Sequence, residues 1–120
     1  MRVIHFERDK EGLHLHGGSY VQGFYIPDKK LILFSERQGT FGEDICSFTD
    51  NPALLDELQP LLQGEIPTTD GVTYSRIKEF EYDEERLSEL IQDAQTEKEL
   101  RAKLKSGIEA LLSQANTSNP

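Results

Sequence analysis

The chain has 120 residues, the size of one domain that can bury a core without disulfide or metal support, and 13 Lys and Arg against 22 Asp and Glu give it a formal charge of −9. The excess is uneven: residues 1–50 carry six basic and eight acidic side chains, residues 51–120 seven and fourteen. Such a field repels phosphate backbones and disfavours direct nucleic-acid binding, and no apolar run approaches the roughly 20 residues that cross a bilayer. With the single Cys46 barred from an internal disulfide and no apolar leader after Met1, the expected location is cytoplasmic.

Residues 2–8 alternate as a strand. The turn Asp9-Lys10-Glu11-Gly12 and the pair Gly17-Gly18 bracket a second short strand, 13–16, and a third follows at 19–26. Pro27 and Asp28 suit the inner positions of a turn into a fourth strand, 30–36. This four-stranded meander gathers Ile4, Phe6, Leu13, Leu15, Tyr20, Phe24, Ile26, Leu31 and Leu33 on one face, the expected core. The other face collects Val3, His5, Glu7, His14, His16, Val21, Tyr25, Ile32 and Phe34.

Residues 37–43 read as a loop before a fifth strand at 44–49. Asp50 or Asn51 can cap a helix that opens with Pro52, carries Leu54, Leu55, Leu58, Leu61 and Leu62 at helical spacing, and stops at Gly64, with Pro60 forcing a kink or a short second turn. In a strand at 72–82, Val72, Tyr74, Phe80 and Tyr82 share parity and Ile77 breaks it, which implies a bulge. Two helices follow, at 84–95 and 97–113, separated where Thr96-Glu97-Lys98-Glu99 fits a capping box. Gly107, costly inside a helix, marks a close approach to a neighbour. The expectation is one α+β domain over residues 1–114, in the order ββββ(β)αβαα with a mostly antiparallel sheet of five or six strands, and a disordered tail at 115–120.

Two readings of function follow. The first is a small acidic binding protein of adaptor, inhibitor or immunity type, without catalysis. It would engage a protein partner, basic in character, or a second copy of itself through the acidic residues Glu79, Glu81, Glu84 and Glu85 and the apolar residues Val21, Tyr25, Ile32 and Phe34. In the plainer account the acids are solvated or complement a helix dipole, and the helix at 52–63 takes one face of the sheet and the C-terminal pair the other, which leaves neither face exposed. The second reading places His5 opposite His16 and Glu7 opposite His14 across the first hairpin. Those ligand types would hold Zn²⁺ or another divalent transition metal and support hydrolysis, whereas a solvated histidine edge needs no metal at all. Cys46, between Ile45 and Phe48 and near Glu43 and Asp44, reads as a small core residue, since the carboxylates disfavour a thiolate. No phosphate-binding loop, nucleophile elbow or EF-hand pattern occurs, and the first reading requires no cofactor.

Overall fold

The computed structural model describes residues 1–10, 19–38 and 44–117. Strands β1 (Arg2–Lys10), β2 (Ser19–Ile26), β3 (Leu31–Gln38), β4 (Asp44–Thr49) and β5 (Val72–Glu81) form one antiparallel sheet in the order β4-β3-β2-β1-β5. Helix α1 (Pro52–Glu57) lies between β4 and β5 in sequence, and α2 (Glu84–Gln95) and α3 (Glu97–Thr117) complete the order ββββαβαα. The chain is therefore a single α+β domain, with the sheet held between α1 on one side and the α2–α3 pair on the other.

Local chemistry sets the connections. Pro27–Lys29 forms one 3₁₀ turn, closed by the Lys30 amide donating to the Pro27 carbonyl at 3.1 Å, and it delivers β3 with Ile26 opposite Leu31. The Asn51 side chain accepts from the Ala53 amide at 2.9 Å and caps α1. Pro60 cannot donate to a continued α-helix, so residues Gln59–Gln63 tighten into a 3₁₀ segment that ends at Gly64, whose φ of +74° suits a residue without Cβ.

The sorting of the two faces departs from the sequence expectation. β1 pairs directly with β2, Ile4 opposite Tyr25 and Phe6 opposite Gly23, and its other edge pairs with β5. Both edges of β1 are thus occupied by strands other than 13–16, and even-numbered residues of β1 share a face with odd-numbered residues of β2. Ile4 and Phe6 consequently join Tyr25, Ile32, Leu58, Leu61 and Tyr74 beneath α1. Val3 joins Phe24, Ile26, Leu31, Leu33, Cys46 and Phe80 beneath α2 and α3, with Leu87, Leu104, Ile108 and Leu111. The strand expected at 13–16, the Gly17-Gly18 turn, residues 39–43 and residues 118–120 lie outside the described residues.

The bulge does occur. His5 stands opposite Lys78 but Glu7 opposite Ser75, so β5 carries one extra residue at Arg76–Ile77, with Arg76 at φ +50°. That insertion turns the even positions over: Val72 and Tyr74 face α1, while Phe80 and Tyr82 face α2 and α3. At the start of α3 the capping box does not form through Thr96. Its hydroxyl lies 3.2 Å from the Asp93 carbonyl oxygen and 3.4 Å from that of Gln92, donating back into α2, and Leu100 leaves helical geometry at φ −118°. Helix α3 also runs to Thr117 and buries Ala115, where the expectation placed the start of a tail.

Gly107 is the close approach that its place in a helix implies: a Cβ there would stand 2.2 Å from Leu90 Cδ1. Alanine at 107 gains about 1 kcal/mol in helix propensity but overpacks Leu90 at a cost of roughly 1–3 kcal/mol. Gly107→Ala is therefore expected to destabilise the protein in urea titrations, and to become stabilising in a Leu90→Ala background. An unchanged sign in that background would place the conflict elsewhere.

Candidate functional site

At one end of the α2–α3 side the apolar core gives way to polar residues of the central strands. His5 and Glu7 project from β1 at i and i+2 onto the same face, and β2 places Phe24 and Gln22 beside them. The His5 ring lies on Phe24 with centroids 4.9 Å apart and is only 7% exposed; Glu7 is only 4% exposed. On the other flank β5 supplies Lys78 directly opposite His5, and the bulge brings Arg76 toward Glu7, Nε to Oε2 2.9 Å. From the last turns of α3, Leu112 and Ala115 close the remaining wall, while the neighbouring Ile77 packs toward α1. The cavity so formed is about 480 Å³, within the range of small-molecule sites.

Two polar atoms of the residues that line this cavity are buried without a hydrogen-bond partner: His5 Nε2 and Glu7 Oε2. The Glu7–Arg76 contact is a charge contact whose angles do not make a hydrogen bond, and Arg76 itself remains largely in solvent. Burial, helped by the Lys78 ammonium and the Arg76 guanidinium, drives the His5 pKa down to about 4, so the ring is neutral at physiological pH. Burial raises the Glu7 carboxyl and Arg76 opposes that rise. A neutral imidazole, a carboxylate and two cations thus converge on one cavity, a set able to exchange hydrogen bonds with, and to orient, a small polar molecule.

The sequence named His5 and Glu7 but supplied them with the wrong neighbours. The positions across from His5 belong to Phe24 and Lys78, and those across from Glu7 to Gln22 and Ser75, so the facing pairs His5–His16 and Glu7–His14 are replaced. His14 and His16 lie outside the described residues, and among the described residues no group of three or more His, Cys, Asp or Glu is arranged to hold a metal. Arg76 and Lys78 were missed. The parity break at Ile77 was their signal, because it marks where β5 turns side chains toward β1.

Of the apolar candidates, Tyr25 and Ile32 are core residues. Tyr25 and Ile32 are 3% and 1% exposed beneath α1, Phe34 packs half-buried against the same cluster, and Val21 is half-buried between Arg8 and Glu36 in the ladder. The acidic candidates do reach solvent. Glu79 meets Arg2 at 2.6 Å, Glu81 meets the N-terminal ammonium at 3.0 Å, and Glu84 and Glu85 occupy the first turn of α2. There the positive end of the helix dipole favours them, beside the capping carboxylate of Asp83.

A second polar cluster is structural. The Tyr74 hydroxyl donates to Glu57 and accepts from Arg8 Nε at 3.1 Å, which ties α1 to β5 and β1. Burial and the Glu57 hydrogen bond hold the phenol well above its ordinary pKa. Tyr74→Phe is expected to cost about 1.5–3 kcal/mol in urea titrations, the range for a hydrogen bond to a charged group, and Glu57→Gln should add little to it. Additive losses would show that the two side chains act separately.

No protein-family model matches the chain, and neither a curated protein nor a solved structure matches it. Among the described residues, no helix is long and apolar enough to cross a membrane.

Proposed function

We propose that the protein is a small acidic binding protein, and that its binding site is the polar cavity between β1, β5 and the end of α3. One observation carries this reading: His5, more than nine-tenths buried and with a ring nitrogen that has no hydrogen-bond partner, lines a cavity large enough for a ligand. A buried polar atom without a partner costs about 1–3 kcal/mol, and a ring turned toward a bound molecule recovers it. The acidic residues contribute at longer range. Exposed Glu79, Glu81, Glu84 and Glu85 on a chain of charge −9 favour the approach of a basic protein partner, and such an association is expected to slow steeply from about 50 to 500 mM salt. A reducing cytoplasmic setting suits the lone Cys46, which is buried in the core.

The cavity is tested by screening the full chain with a mixed set of small anions, cations and neutral polar molecules while following the His5 ring and Ala115 methyl resonances. Saturable shifts at these two positions, absent in His5→Phe, are the expected result. A set that moves neither resonance overturns the reading.

A further inference from the structure

The charges around the cavity do not cancel. Glu7 is answered by Arg76 at 2.9 Å, whereas Lys78, which also lines the cavity, has no carboxylate within salt-bridge distance among the described residues. One uncompensated positive charge therefore stands beside a buried, neutral imidazole, on a chain whose overall charge is −9. A ligand carrying one negative charge would complement it. A ligand with two would place the surplus beside buried Glu7, a like charge at short range in a poorly screened site. The same positive field of Lys78 and Arg76 that disfavours a proton on His5 favours an anion next to it.

The remaining wall selects further. Leu112 and Ala115 present hydrocarbon to the cavity, which an inorganic ion leaves uncovered and a short aliphatic chain fills. We infer that the cavity takes a small organic monocarboxylate, with its charged end at Lys78 and its hydrocarbon end against Leu112 and Ala115. A carboxylate oxygen meets the Lys78 ammonium beside the His5 ring. This inference rests on the reading of the cavity as a ligand site.

The experiment titrates the full chain at pH 7.5 with four probes, butyrate, butan-1-ol, butylamine and inorganic phosphate, and reads the His5 ring and Ala115 methyl resonances. Butyrate is expected to give saturable shifts at both positions, and the other three to bind at least tenfold more weakly. Lys78→Met should weaken butyrate at least tenfold, Lys78→Arg should retain it, and Lys103→Met, at an exposed position on α3, should leave it unchanged. Saturable shifts from butan-1-ol, butylamine or phosphate with none from butyrate would keep the cavity as a binding site and overturn the monocarboxylate. Equal butyrate binding in Lys78→Met would also overturn it, by removing the charge from the account. If no probe and no member of the broader screen moves either resonance, the underlying reading falls with it.

Discussion

Phe6→Ala is expected to cost about 3–5 kcal/mol, the range for deleting a fully buried aromatic side chain, because the ring fills a space that nothing nearby can collapse into. Phe6 is 1% exposed; it lies over the backbone of Gly23 and meets the Tyr74 ring at 5.8 Å between centroids. A Cβ at position 23 would stand 2.2 Å from Phe6 Cζ, so the glycine is a socket for the ring. Against a domain stability of roughly 5–15 kcal/mol, the loss is a large share of the total and should move the urea midpoint substantially. The socket makes its own prediction. Gly23→Ala alone overpacks the ring at a cost of about 1–3 kcal/mol, but combined with Phe6→Ala the added methyl enters vacated space. The double variant should therefore be clearly less destabilised than the sum of the singles. Strict additivity would mean that the ring and the glycine do not share that space.

Acid should destabilise the protein through His5. In the unfolded chain this imidazole takes up a proton at its ordinary pKa of 6.5, whereas in the fold burial, Lys78 and Arg76 delay protonation to about 4. Between those values the unfolded state binds more protons, so stability falls as pH is lowered through that window and is fully present above it. At about 1.4 kcal/mol per pH unit, the His5 contribution amounts to about 3 kcal/mol. Glu7 works in the opposite direction. Its folded carboxyl keeps a proton to higher pH than the unfolded one, so its contribution declines as pH rises through its own window. Among the described residues, the groups that line the cavity with His5 are Glu7 on its own strand, Gln22 on β2, the two cations on β5, and Leu112 and Ala115 from α3. Urea midpoints from pH 4 to 8 should therefore show a moderate acid slope in the native chain, a steeper one in Glu7→Gln, and a reversed one in His5→Phe, where the Glu7 contribution is left unopposed, apart from the acidic residues held in surface ion pairs. An acid slope unchanged in His5→Phe would remove the imidazole as its cause.

Elements governed by neighbours in sequence were legible in advance. Pro27 fixed the β2–β3 turn, Asn51 and Pro52 the start of α1, Pro60 its change to a tighter helix, and Ile77 the bulge. What failed was the identity of strand partners. β1 has its two edges filled by β2 and by β5, the latter some seventy residues away in sequence, and alternation within Arg2–Lys10 is the same whichever strand lies beside it. A glycine pair and two histidines between polar turns read locally as one more hairpin strand, and inserting that strand reversed the parity of every pairing counted from β1. Ile4 and Phe6 were thereby assigned to the layer of Phe24 and Leu33, and Tyr25 and Ile32 to an outer patch. The cavity was half legible for the same reason. His5 and Glu7 share a face by period alone, but Arg76 and Lys78 reach them only through the long-range β1–β5 ladder.

The irregularity at Arg76–Ile77 also bears on how the molecule meets others. β5 is a terminal strand, and an uninterrupted terminal strand is a template on which foreign chains can extend a sheet. Here the regular spacing of backbone donors and acceptors is broken midway by the left-handed Arg76, with charged Lys78 and Glu79 shortly after it. The same extra residue that turns Arg76 toward Glu7 thus roughens this margin of the sheet and guards it against strand-to-strand aggregation.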